Sequence, residues 1–143
     1  MVVNSAVPAM TVAEFIAYAR AHPRELNFAS AGIGTTQHMA GELFKLKAGV
    51  DMVHVPFKGA AALVTDLSVG RVEVSFLSVG SVVQHWKAGK VKVLATAGTR
   101  RAPIMPDVPS TLDLGYKRGF SQGLIGANVD SNAALRNSHQ PLN

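Results

Sequence analysis

Residues 26–49 read LNFASAGIGTTQHMAGELFKLKAG, and the fold follows from how this stretch is built. Leu26 to Ser30 (LNFAS) is short, apolar and followed by glycine, the pattern of a buried strand. A glycine-punctuated turn, Ser30-Ala-Gly-Ile-Gly-Thr-Thr36, comes next. Thr36 to Ala48 then reads as a helix, with Met39, Leu43, Phe44 and Leu46 as its apolar side and Gly49 as its stop. Strand, glycine loop and helix make one βα unit.

The rest of the chain repeats that unit. Upstream, Thr11-Val-Ala-Glu14 is a capping box, and Val12, Phe15, Ile16 and Ala19 follow at helical spacing until Pro23. Downstream, Met52 to Val55 predicts a second strand, Ala60 to Ser68 a helix ended by Gly70, and Val72 to Leu77 a third strand. Val79 to Ala88 predicts a helix stopped by Gly89, and Val91 to Thr96 a fourth strand. A Pro-rich loop, Pro103 to Pro109, leads to a short helix at Thr111 to Leu114, and Phe120 to Ala127 reads as a last strand. Strands separated by helices are what parallel βαβ crossovers produce. The expected fold is therefore a three-layer α/β domain, a mostly parallel sheet flanked by helices.

Composition agrees with one such domain. The chain has 143 residues, 48% of them hydrophobic and 16% charged, with a mean hydropathy of +0.19. A domain of that size buries roughly 68–70% of the surface its unfolded chain exposes, so it folds without staples. With no cysteine, disulfides and thiolate chemistry are excluded. The net charge of +5 favours anionic partners. The basic residues are scattered, however, and only 6% of the chain is aromatic, which argues against a nucleic-acid surface and for a small anion.

At the ends, Met1 to Met10 has no basic start, and Asn4, Ser5 and Pro8 interrupt its apolar residues, so it does not read as a signal peptide. The expectation is either a cytoplasmic protein or a piece of a longer precursor. Residues 128–143 are polar and patternless and read as a loose tail, leaving residues 1–127 as a single α/β unit.

Ligands of open parallel sheets bind beyond the carboxyl ends of the strands. Three segments are expected there. In the first, Gly32 and Gly34 let the backbone approach a ligand, Ser30, Thr35 and Thr36 add hydroxyls, and the following helix start offers free N–H groups to a carboxylate or phosphate. No Lys-Ser/Thr pair follows the glycines and the spacing is not GxGxxG, so this is neither a P-loop nor a dinucleotide fingerprint. A plain turn capped by Thr35 is the competing reading. In the second, Lys58 and Gly59 offer a cation and another helix start, although a loop lysine is commonly just solvated. In the third, Ser78 and Ser81 either cap a helix or touch ligand.

The five histidines stand singly, without metal-ligand spacing, and His38 and His54 read as packed, hydrogen-bonded side chains. No G-x-S-x-G elbow or paired carboxylates appear. The residues propose no enzyme, no cofactor and no metal site.

At these same segments the sequence resembles a known family. Phe28-Ala-Ser-Ala-Gly-Ile-Gly-Thr-Thr-Gln-His-Met-Ala-Gly-Glu42 is similar to the "ASPGxGxxxHLAxE" signature of the Bug receptors, the solute-binding proteins of tripartite tricarboxylate transporters (TctC-like). Val53-His-Val-Pro-Phe-Lys-Gly59 resembles their "HVPYKG". The segments 66–74, 88–95 and 100–115 continue the likeness in order, over roughly Val2 to Phe120.

The resemblance implies one lobe, the second, of a two-lobed periplasmic receptor that closes on carboxylates and delivers them to membrane permease subunits. Val2 to Pro8 then corresponds to the inter-lobe crossover, and the chain to a fragment or truncated member. The carboxylate cradle carries over to Ser30, Gly32, Gly34, Thr35 and Thr36, and more weakly to Lys58 and Gly59; Ser78 stays a candidate ligand contact on the reading of the residues alone. Two departures stand out. Ala31 replaces a common proline, and Leu77 or Ser78 stands where amino-acid-binding members carry an aspartate, which predicts a di- or tricarboxylate or aromatic acid without an amine. The alternative is an interaction module that self-associates through the exposed inter-lobe face.

Overall fold

A computed structural model describes residues 1–115. The predicted strand at Phe120–Ala127 and the tail at residues 128–143 lie outside these. The elements run β1 (Val2–Asn4), α1 (Val12–Ala21), β2 (Asn27–Ser30), α2 (Thr36–Ala48), β3 (Val53–Pro56), α3 (Ala60–Val69), β4 (Val74–Ser75), α4 (Val79–Lys87) and β5 (Val91–Val93). The helices match the sequence reading closely because their ends are chemically marked. Thr11 Oγ1 accepts the Glu14 N–H at 3.1 Å, and Gly49 and Gly70 end α2 and α3 in the left-handed conformation. The Glu14 carboxylate accepts from Met10 N–H at 2.7 Å, one residue upstream of the expected partner.

The sheet order is β3-β2-β4-β1-β5. β2 pairs in parallel with β3 and β4, whereas β1 is antiparallel to both β4 and β5. Four of the five strands therefore point the same way, and the sheet is mostly parallel as expected. The exception is the expected crossover segment, which enters as a strand, with Val2 opposite Ser75 on one side and Val93 on the other. Asn4 secures its end: Nδ2 donates to Leu67 O at 2.7 Å while Oδ1 accepts from Ala6 N–H at 2.9 Å.

Alternation along the strands divides the core in two. Val3, Phe28 and Val74 face α1 and α2, packing with Phe15, Phe44 and Phe76. Val2, Ala29 and Val91 face α3 and α4, packing with Leu63, Leu67 and Val82. This is the three-layer arrangement.

Three expectations need correction. The buried face of α2 is Ala40, Gly41, Phe44 and Ala48, while Met39 (59%) and Leu46 (77%) are exposed. The reason is Phe28, whose ring lies so close that a Cβ on Gly41 would stand 2.1 Å from it; only small residues let the helix settle there. The third and fourth strands are shorter than their apolar runs, at Val74–Ser75 and Val91–Val93, although Thr96 still bridges Ser110. Residues 111–115 form turns, not a helix, organised by Asp113. Its Oδ2 accepts from Ser110 N–H and from Arg101 Nε, both at 2.9 Å, and these bonds, with Ser110 foremost, hold its carboxyl below the usual range.

Candidate functional site

β2 sits where the chain's direction of travel divides. From β2 the chain passes through α2 to its neighbour β3, while from β4 it passes through α4 across β1 to β5. α2 and α4 also cover opposite faces. The carboxyl ends of β2 and β4 thus flank the switch point at which open α/β sheets leave a crevice.

The loop after β2 is held by its own hydroxyls. The Ser30 side chain is fully buried, donating to Gly32 O at 3.0 Å and accepting the Gly32 N–H at 3.2 Å. Thr35 Oγ1 donates to Gly32 O at 2.7 Å and accepts the His38 N–H at 3.4 Å, capping α2. The Ser30 and Thr35 hydroxyls, expected to face a ligand, here bond the loop's own backbone. Thr36 remains exposed, with only a long contact to Gln37. Gly32 (φ 144°) and Gly34 (φ 82°) both occupy backbone conformations that side chains resist.

What the loop presents is backbone. Among the described residues, the N–H groups of Ile33, Thr36 and Gln37 have no acceptor. The second segment adjoins the first: Phe57 N–H donates to Ser30 O at 2.8 Å and Gly59 N–H to Ala31 O at 3.2 Å. That places exposed Lys58, which pairs with no acid among the described residues, beside the loop, together with the unpaired N–H groups of Ala60 and Ala61 at the start of α3. Ser78 lies at the same sheet edge, at the start of α4, where its hydroxyl meets Ser81 Oγ at 2.7 Å and caps nothing. The structure thus brings Ser30, Gly32, Gly34, Thr35, Thr36, Lys58 and Gly59 together, and sets Ser78 on the neighbouring strand's end.

Beneath the loop lies an arrangement that the sequence did not reveal. The rings of His38 and His54 stack 3.9 Å apart and 5° from parallel, and Phe28 lies against His54 at 4.8 Å. His54 Nε2 is 2.7 Å from Ser30 Oγ. One proton is shared in this contact, carried by Ser30 Oγ or by His54 Nε2 according to the imidazole tautomer. Gly34 N–H donates to His38 Nδ1 at 3.0 Å, and Glu42 stands 3.8 Å from His38 Nε2. Burial, followed by neighbouring His38, holds the His54 imidazole below its usual pKa; Glu42 opposes this and Lys45 adds to it. No periodicity connects residues on α2 with one on β3, so this stack had no one-dimensional signal.

The comparisons with known proteins agree on one family. The family model described as "Tripartite tricarboxylate transporter family receptor" (TctC) matches residues 1–130. A UPF0065 protein encoded between tcbD and tcbE in Pseudomonas sp. strain P51 is 37% identical over 109 residues, covering 76% of this chain and 32% of that protein. BugT of Bordetella pertussis is 31% identical over 116 residues, covering 81% and 36%. The chain thus spans about a third of the length of these relatives. The solved structure of R. palustris Rpa4515 with adipate superposes with a TM-score of 0.75 at 28% identity, covering 86% of this chain and 47% of that one. By its matched residues and by its fold, the chain belongs to the receptor family of the tripartite tricarboxylate transporters.

Proposed function

We propose that the chain is a solute-binding lobe that receives a carboxylate at the carboxyl edge of its sheet, in the cradle formed by residues 30–36 and Lys58–Gly59. The observation that carries this is the convergence of N–H groups from Ile33, Thr36 and Gln37 with those of Ala60 and Ala61, beside Lys58, all without a partner among the described residues. Helix starts of this kind bind anions through directed N–H groups and the positive dipole end. The R. palustris relative, whose structure holds adipate, supports a dicarboxylate as the ligand class. Leu77 and Ser78 follow β4 with no acid to pair an ammonium, which supports a ligand without an amine.

Membership of a receptor family supports binding in place of catalysis, a periplasmic setting and delivery to permease subunits. The alternative, self-association through the same edge, has its own support. Ile33 is 80% exposed at the tip of the loop and Met39 is 59% exposed in the first turn of α2.

A thermal-shift screen against mono-, di- and tricarboxylates, adipate among them and phosphate as control, tests the first reading. A ligand at 100 times its Kd adds about 2.7 kcal/mol, a shift of several degrees at this size. A shift with carboxylates but not phosphate is expected. Equal shifts with phosphate, or none with any carboxylate, refute the reading. Light scattering that shows a dimer would favour the alternative.

A further inference from the structure

We infer that His38 is a positioning residue for the cradle: its unprotonated Nδ1 holds the Gly34 peptide in place, and protonation of the imidazole releases it. The binding consequence rests on the carboxylate reading above; the positioning role does not.

A backbone N–H only donates, so the 3.0 Å bond from Gly34 requires a lone pair on Nδ1. That fixes the neutral ring with its proton on Nε2, the side facing Glu42. An imidazolium carries protons on both nitrogens. Charging His38 therefore sets two N–H groups head to head, and the Gly34 bond is lost.

The charged groups around the ring decide where a proton goes. His54, from β3, lies 3.9 Å above it in parallel, so both rings cannot be charged without direct repulsion. Glu42, from α2, stands 3.8 Å from His38 Nε2 and is itself 3.6 Å from Lys45. Phe28 and Ser30, from β2, contribute no charge; Phe28 stacks on the pair and Ser30 bonds His54. Glu42 thus sets a carboxylate beside His38 Nε2, while burial holds the His54 imidazole below its usual pKa.

Gly34 is free to respond. It has a φ of 82°, and the space where a Cβ would lie is open, with nothing within 4 Å. The loop it belongs to presents the unpaired Ile33 N–H on one side and the start of α2 on the other. A released Gly34 peptide disperses these donors, which lowers affinity for a carboxylate.

The test is amide NMR of the ligand-free chain, scanned from about pH 8 to about pH 5, the window in which histidines change charge. Three proteins are compared: wild type, His38→Asn, whose side-chain oxygen offers an acceptor in place of Nδ1, and His38→Ala. In wild type the Gly34 amide is expected to follow a single titration. In His38→Asn it stays near the high-pH position throughout, and in His38→Ala near the low-pH position. A Gly34 amide that does not titrate, or titrates equally in His38→Asn, overturns the inference.

A second readout is adipate affinity in wild type relative to His38→Asn at each pH, a ratio in which adipate's own titration cancels. The ratio is expected to fall by about 3- to 10-fold on acidification, the loss of one net hydrogen bond. A rising ratio would mean that the imidazolium attracts the ligand directly, and also overturns the inference. If no carboxylate binds at all, the carboxylate reading fails, while the amide titration still decides the role of His38.

Discussion

Replacing Gly41 by alanine tests the packing that ties the core to the cradle. Ordinarily, glycine to alanine in a helix gains about 1 kcal/mol in propensity. Here a Cβ would lie 2.1, 2.4 and 2.9 Å from three atoms of the Phe28 ring. The closest of these is about 1.4 Å short of carbon–carbon contact at ~3.5 Å. Phe28 cannot simply retreat, since it is fully buried and its ring is stacked on His54. Overpacking costs about 1–3 kcal/mol, and the depth of this overlap calls for the upper end. The net expectation is a loss of about 2 kcal/mol, a fall in Tm on the order of 5–10 °C for a chain of this size.

Gly80 supplies the internal control. It lies in the first turn of α4, and a Cβ there meets nothing within 4 Å. Gly80→Ala is expected to stabilise by about 0.5 kcal/mol. Urea denaturation of both variants, with Phe28→Leu and the Gly41→Ala/Phe28→Leu double variant, completes the assay. The double variant should be less destabilised than the sum of the singles by about 1 kcal/mol, because the smaller side chain vacates part of the overlap. If Gly41→Ala stabilises as Gly80→Ala does, or the double variant is additive, the close packing of Phe28 on α2 does not constrain position 41.

Three further outcomes are expected. Gly34→Val should remain folded, at a cost of about 1–2 kcal/mol for a side chain at φ 82°, yet lose carboxylate binding; calorimetry showing wild-type affinity would sink the cradle assignment. Lys58→Ala, removing an exposed cation that pairs with no acid among the described residues, should leave stability within about 0.5 kcal/mol while weakening carboxylate affinity several-fold, most visibly at low salt. Asp113 has a depressed folded-state pKa, so its contribution is present above the unfolded value of 3.8 and is lost as pH falls through the folded one. The Tm difference between wild type and Asp113→Asn should accordingly be present at neutral pH and vanish on acidification below that value; a constant difference contradicts the sign.

The helices were legible because their boundaries are written in local chemistry. Thr11, Gly49 and Gly70 each signal a terminus through an interaction within a few residues. The glycine loop was legible for the same reason, and so was its place at the end of a strand. What a hydroxyl does there was not: Ser30 and Thr35 turn toward the loop's own backbone, and only the folded geometry shows this. The apolar side of α2 misled because Met39 and Leu46 match a helical stripe, while the surface opposite the helix is an aromatic ring that admits only Gly41 and its small neighbours. β1 escaped notice because its residues, Val2-Val-Asn4, are too few to show alternation. Its partners lie at the far end of the described chain.

That strand has a kinetic consequence. β1 precedes the other four strands in the described chain, yet its register partners, Val74 and Ser75 on one side and Val91 to Val93 on the other, come from the far end of the sheet-forming chain. β2, β3 and β4 pair side by side through connections that are short by comparison, whereas β5 joins the sheet only through β1. Loop closure over so many residues slows folding, and non-local pairings are formed late. The two valines of β1, 1% and 0% exposed in the folded chain, therefore gain their second strand partner only when Val91 to Val93 pair. β1 stands between β4 and β5, and so joins the two sides of the sheet.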